Sequence, residues 1–411
     1  MTSQDQTKVS DVQIELNKLS DSTEAKETAC LLNLVIYTCE VKQAQYFEKS
    51  IQKITSRVPC RIIFVHVNQD AQEAYLHVNV TAEPIQDSPN VVYDKINIEV
   101  SKQEESKVPY LILPYFIPDL PIYLLWGQDP AIENTILPQL LKYAKRLIFD
   151  SNYCEDIRLL EKLIPLLETN SIEIVDLNWA RIEGWREVLS KVFDSSERIK
   201  QLINSETIKI IYNCAKGSRG NRSDTQVAAF TSSGKISVSR ERSDVAFCDE
   251  GIALAIAEEK NATDNLLAGN RKLIEEVNTA TQAIYLQAWL ATRLQLEFVN
   301  LTKASDKYIL TYKNKNFINI ELIPKEFPHF ISEDIVEFEV FGQDTYNCRI
   351  SRENTNHVII NSCNQYQCEM PFTLILPNIE SARGFIQEVL YQKSSPHYTQ
   401  MLECVRKMIK S

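Results

Sequence analysis

The sequence predicts an α/β protein in two parts. Residues 1–176 read as an N-terminal mixed sheet with covering helices, and residues 177–411 as a C-terminal α+β domain with antiparallel strands and two closing helices. Three observations carry the prediction. Between residues 29 and 176, short β-branched runs alternate with amphipathic stretches, which implies a sheet covered by helices. Beyond residue 300, strand-like runs follow one another across short turns, the pattern of antiparallel pairing. At about 150 residues per domain, a chain of 411 has room for more than one core.

The first strand is expected from Cys30 to Thr38. Val41, Ala44, Phe47, Ile51 and Ile54 then recur at helical spacing, and Arg61 to Val67 forms the next strand. Tyr75 to Thr81 and Val91 to Val100 follow as neighbours; Val92, Ile96, Ile98 and Val100 share one face with Asp94, and Tyr93, Lys95, Asn97 and Glu99 lie on the other. After a proline-rich stretch come a strand (Ile122 to Trp126), a helix (Ile132 to Ala144) and a strand (Arg146 to Asp150). A helix from Ile157 to Glu168 is expected to kink or shorten at Pro165, before a strand from Ile172 to Asp176.

Residues 217–280 differ in texture, with Ser, Arg, Asn and Gly clusters ahead of an Ala- and Glu-rich helical stretch, and read as an insertion. A hairpin is then expected from Tyr308 to Tyr312 and Ile318 to Leu322, followed by a strand in which Val336, Phe338 and Val340 alternate with Glu337 and Glu339. Of the closing helices, one carries Ile379, Ala382, Phe385, Ile386, Val389 and Leu390 on one face, and the other is opened by Ser395 as cap with Pro396 at its first position.

Composition removes several function classes. Nine glycines occur where average usage of about 7% would give roughly 29. Neither G-x-G-x-x-G nor G-x-x-x-x-G-K-[ST] is present, so a glycine-built phosphate cradle and its cofactor are not expected. A net charge of −11 argues against nucleic acid as a partner, because phosphate contacts need a basic stripe. Met1 to Ser10 is polar, which points to a cytoplasmic protein. The apolar run Tyr110 to Trp126 is broken by Pro114, Pro118, Asp119 and Pro121, so no membrane span is expected.

No zincin, nucleophile-elbow or kinase motif stands in a supporting context. His66 and His77 fall on predicted strands beside apolar residues, where a histidine at a core margin fits better than a general base. Lys216, Arg219 and Arg222 surround Gly217 and Gly220, as an anion clamp or a solvated loop would. Ten cysteines read mostly as small buried residues. Cys363 and Cys368, with His357 nearby, fit two loop thiols, a redox-sensitive pair or part of a zinc ligand set. No metal site is expected.

Two segments stand out. In Leu113-Pro114-Tyr115-Phe116-Ile117-Pro118-Asp119-Leu120-Pro121-Ile122-Tyr123-Leu124-Leu125-Trp126, prolines fix the backbone around one acidic residue, as in a rigid lead into a buried strand or a preorganised recognition loop. In Asp176-Leu177-Asn178-Trp179-Ala180-Arg181-Ile182-Glu183-Gly184-Trp185-Arg186-Glu187, two Trp and two Arg match the composition of an interface hot spot, and equally that of a core anchor.

Together these segments resemble the OpcA family of glucose-6-phosphate dehydrogenase assembly proteins, which carry a similar Pro-Asp-Leu-Pro lead to Trp and a similar Asp-Leu-Asn-Trp-Ala-Arg followed by Trp-Arg-Glu. Leu32-Asn33-Leu34-Val35, Pro59-Cys60-Arg61-Ile62-Ile63, Arg146-Leu147-Ile148-Phe149-Asp150-Ser151 and Leu286-Gln287-Ala288-Trp289-Leu290-Ala291 resemble further family stretches in the same order. Gly184 stands where the family usually opens the Trp-Arg helix with proline. The resemblance implies a noncatalytic factor that binds glucose-6-phosphate dehydrogenase and favours its active oligomeric form. The contact residues expected on this reading are Pro118, Asp119, Leu120, Pro121, Trp126, Trp179, Arg181, Trp185 and Arg186. The competing reading is a sugar-phosphate or nucleotide-binding enzyme that uses Arg181, Arg186 and Asp119 at strand ends.

Overall fold

The computed structural model describes residues 27–28, 30–55, 58–85, 88–130, 134–154, 165, 172–214, 280–342, 346–354, 356–376 and 395–410. Its first part runs β1 (Glu27–Thr28), β2 (Asn33–Thr38), α1 (Val41–Thr55), β3 (Arg61–Asn68), β4 (Leu76–Ile85), β5 (Ser88–Ser101), α2 (Val108–Ile112), β6 (Ile122–Trp126), α3 (Ile136–Leu141), β7 (Arg146–Phe149) and β8 (Glu173–Asp176). Three short helices follow, α4 (Leu177–Arg181), α5 (Glu183–Val192) and α6 (Ser196–Ile203), leading into β9 (Ser205–Asn213). The second part contains α7 (Thr281–Arg293), β10 (Glu297–Ala304), β11 (Lys307–Lys313), β12 (Phe317–Lys325), β13 (Ile335–Gly342), β14 (Asn347–Arg352), β15 (His357–Cys363), β16 (Phe372–Ile375) and α8 (Pro396–Lys410).

The first sheet has the path β1-β5-β3-β2-β6-β7-β8, with β4 antiparallel on β5. From β5 to β8 every neighbouring pair is parallel. Counting only the strands from β5 to β8 of this path in chain order, the spatial order is third, second, first, fourth, fifth, sixth, the doubly wound arrangement of dinucleotide-binding sheets. All six residues of β2 are buried, as expected of a strand covered on both faces. Phe47 and Ile51 of α1 pack against Leu34, Ile36 and Ile62 on one face of this sheet.

The second sheet runs β10-β11-β12-β9-β13-β14-β15-β16. The expected hairpin is present as β11 and β12, with Tyr308 opposite Leu322 and Tyr312 opposite Ile318. One pairing departs from the antiparallel expectation, since β9 lies parallel to β12 while pairing antiparallel with β13. The physical reason is the long connection between β9 and β10, which crosses over through α7; parallel neighbours require such a crossover.

One continuous core joins the second face of the first sheet to the inner face of the second. At its centre α7 buries every residue from Thr281 to Ala291, the polar Thr281, Gln282 and Gln287 included, so it is covered all round rather than along one stripe. The closing helix α8 packs beside it, and the backbone N–H of His397 donates to the Ser395 hydroxyl (3.2 Å), as the cap reading required. The predicted helix at 132–144 shortens to Ile136–Leu141, because the Asn134 carboxamide accepts from the Ile136 and Leu137 amides and sets its start there. All but the last residue of the expected insertion at 217–280, with its basic cluster, almost all of the helix expected at 157–168, and the first closing helix lie outside the described residues. Among the described residues no helix is long and apolar enough to cross a membrane.

Candidate functional site

In a doubly wound sheet, ligands bind outside the carboxyl ends of the strands where the strand order reverses. Here that point lies between β2 and β6, at Thr38 and Trp126. The turn from β2 into α1 reads Thr38-Cys39-Glu40-Val41, without the glycines that let a backbone approach a pyrophosphate. Glu40 is exposed at the start of α1, where its charge opposes a phosphate. Tyr37 stacks on Trp126 across the two strands at 4.2 Å, both rings are buried, and the Tyr37 hydroxyl donates to Glu105. At Gly127 an added Cβ would lie 2.7 Å from the Tyr37 carbonyl oxygen and 2.9 Å from Phe47 Cε2, so even this glycine holds no free space. The residues at the switch point therefore do not fit a dinucleotide. Burial pushes the Cys39 thiol beside the switch point up to about 11.

The carboxyl ends of β7 and β8 carry a buried polar cluster. Asp150 receives both guanidinium amino groups of Arg181 at 2.7 Å. Asp176 accepts from the Ser151 hydroxyl (3.0 Å), the Asn178 amide (2.9 Å) and the Tyr285 hydroxyl (2.7 Å). Asn178 in turn donates to Ser151 and Asn152. Burial raises the Asp176 carboxyl to about 6, opposed by the hydrogen bonds it accepts from Tyr285, Asn178 and Ser151. Just beyond, the Trp179 ring carries the Arg186 guanidinium at 3.7 Å and packs against Tyr398 of α8 at 5.4 Å. The cluster ties the first sheet to α7 and α8.

At the opposite, amino ends of β2 and β6 sits the proline segment. Pro118, Asp119 and Pro121 are exposed and Leu120 is half-buried. Asp119 adopts φ 65°, a left-handed conformation that aspartate tolerates better than most residues. The fully buried Asn33 staples the segment: its carboxamide donates to the Ile117 carbonyl (3.1 Å) and accepts from the Ile117 amide (2.9 Å). Arg61, paired with Asp94, donates to the Tyr115 carbonyl at 3.0 Å.

The expected contact residues thus separate. Pro118 to Pro121 form an exposed loop at one pole of the sheet, while Trp126, Trp179 and Trp185 are core residues at the other, exposed by only 1%, 5% and 2%. Arg181 and Arg186 are half-buried and engaged internally, and Asp119 lies far along the strands from both, so the three do not converge on one substrate position. Asn33, Asp150, Asp176 and Tyr285 were not singled out from the sequence. Asp150 and Asp176 each follow an apolar run and precede a turn, a signal that points to an Asx cap, and each does accept an amide two residues on. Cys363 and Cys368 are joined in a disulfide at the end of β15, so the ligand set that their spacing allowed is not what they form.

Residues 51–163 match the family model described as the glucose-6-phosphate dehydrogenase subunit N-terminal domain, of the OpcA assembly family. Over these residues the chain is similar to the OpcA family. A Synechococcus elongatus protein named "Putative OxPP cycle protein OpcA" is 26% identical over 163 residues, 39% of this chain and 36% of that one. A Nostoc punctiforme protein of the same name is 28% identical over 165 residues, 39% of this chain and 35% of that one. The chain therefore spans about a third of the length of these relatives. Among solved structures, the aldose-aldose oxidoreductase from Caulobacter crescentus aligns over 92% of this chain and 96% of its own, with 8% identity and a TM-score of 0.46, a likeness from which no functional reading is drawn.

Proposed function

We propose that the chain is a noncatalytic assembly factor of the oxidative pentose phosphate pathway, a cytoplasmic partner that binds glucose-6-phosphate dehydrogenase and favours its active oligomeric form. The observation that carries this reading is the closed switch point. The sheet has the strand order of a dinucleotide enzyme, yet stacked Tyr37 and Trp126, Glu40 and the crowded Gly127 stand where a cofactor would go. The family match supports the partner, and the names of the relatives support the pathway. A partner shifts an oligomer equilibrium only by binding one state better than another, which requires a preformed, exposed contact rather than an active site. The Pro118–Pro121 loop meets that requirement: it is exposed, conformationally fixed and stapled from beneath by Asn33.

The test is to size and assay the cognate dehydrogenase with and without this protein. The expected result is a complex, a larger fraction of the active oligomer and higher activity at limiting enzyme concentration. If the two proteins do not associate and neither distribution nor activity changes, the reading is wrong.

A further inference from the structure

A cleft of about 380 Å³ opens on the α1 face of the first sheet, over β3, β5 and β4. The register fixes its floor. His66, Glu99 and His77 form one cross-strand row, and Phe64, Asn97 and Asn79 form the next. Lys95 lies one row further along β5, and Glu48 of α1 stands over it as the wall, at 3.5 Å.

Most polar groups here already have partners. Tyr75 donates to Glu99 (2.8 Å), and Lys95 lies between Glu48 and Glu83. The exceptions are Asn79 and Asn97, directly opposed and half-buried at the centre of the floor. Among the described residues neither carboxamide is engaged by another protein group. Each therefore offers a donor pair and an acceptor to whatever enters.

We propose that this cleft binds a neutral polyhydroxylated small molecule, a sugar unit without phosphate. Paired carboxamides present the donors and acceptors that adjacent hydroxyls need. Glu48 and Glu99 accept further hydroxyl protons, and Phe64 gives an apolar edge for the C–H face. Charge selects against phosphorylated ligands, because the one lysine is already held by two carboxylates and Glu99 adds a further negative charge. The His66-Glu99-His77 row does not make a metal centre, since among the described residues no three such groups stand close enough to hold an ion. The volume lies near the lower end of the range of about 300–1,000 Å³ for small-molecule sites.

The experiment is calorimetric titration of the full chain with glucose, with sucrose and with glucose 6-phosphate, repeated on Asn97→Ala and Asn79→Ala. One of the neutral sugars should bind saturably, glucose 6-phosphate at least about tenfold more weakly, and each variant should lose about tenfold in affinity with an unchanged melting temperature. Tyr110→Ala, an exposed residue away from the cleft, should bind like the parent. Absence of saturable binding by both sugars, equal binding of glucose 6-phosphate, or parental affinity in both folded asparagine variants would each overturn the proposal.

Discussion

The two poles of the N-terminal sheet use polar groups in opposite ways. At the amino pole, one buried asparagine side chain, Asn33, takes up backbone groups of a loop whose prolines and Asp119 face solvent. At the carboxyl pole, Asp150, Asp176, Asn178, Arg181 and Tyr285 satisfy one another and face inward, and Trp179 and Trp185 close over the core. Both segments are rich in the residues that make interfaces, yet only one presents them. Hot-spot composition marks a place where large groups are fixed, and burial decides whether they are fixed for a partner or for the fold.

That contrast can be broken at its inner pole first. Trp179→Ala should cost about 4 kcal/mol of unfolding free energy, because it empties a buried ring site and leaves Arg186 and Tyr398 without their contact. Urea unfolding measures it, and a loss below about 1 kcal/mol would return Trp179 to the surface. Arg181→Met should cost about 3 kcal/mol by the same measurement, since it leaves Asp150 buried without its cation.

Asp176→Asn sharpens the comparison through pH. The folded-state carboxyl sits at about 6 against an ordinary value of 3.8, so its contribution to stability is fully present below 3.8 and is lost as pH rises through 6. The parent should lose up to about 3 kcal/mol from this group across that window. The asparagine variant should lack the loss, and melts on either side of the window compare them. A parallel pH dependence in both proteins would show that Asp176 is not the titrating group.

The smallest stability effect belongs to the outer pole. Asp119→Gly keeps the left-handed backbone and should change stability by less than about 0.5 kcal/mol, while weakening association with the dehydrogenase about tenfold. Unchanged association would move the contact away from this loop.

Period and polarity made β2 through β8, the β11–β12 hairpin, β13 and the helices α1, α3 and α8 legible, because each buries a repeating face. The boundaries that moved did so for local reasons, as at Asn134, whose carboxamide starts α3 later than the apolar spacing alone suggests. The parallel partner of β9 was not legible, since pairing across a long crossover leaves no mark in either strand.

By itself the sequence determined the α/β class, the absence of a glycine-built phosphate cradle, and the likeness to one family, all of which follow from residues close together in the chain. Only the tertiary structure decided that the strand order is that of a dinucleotide sheet, that Tyr37 and Trp126 stack across its central strands, and that the two aromatic segments lie at opposite poles. The physical reason is that burial and convergence depend on which distant strands become neighbours. Asn33 meets Ile117 and Asp176 meets Tyr285 only after the sheet and the central helix have packed.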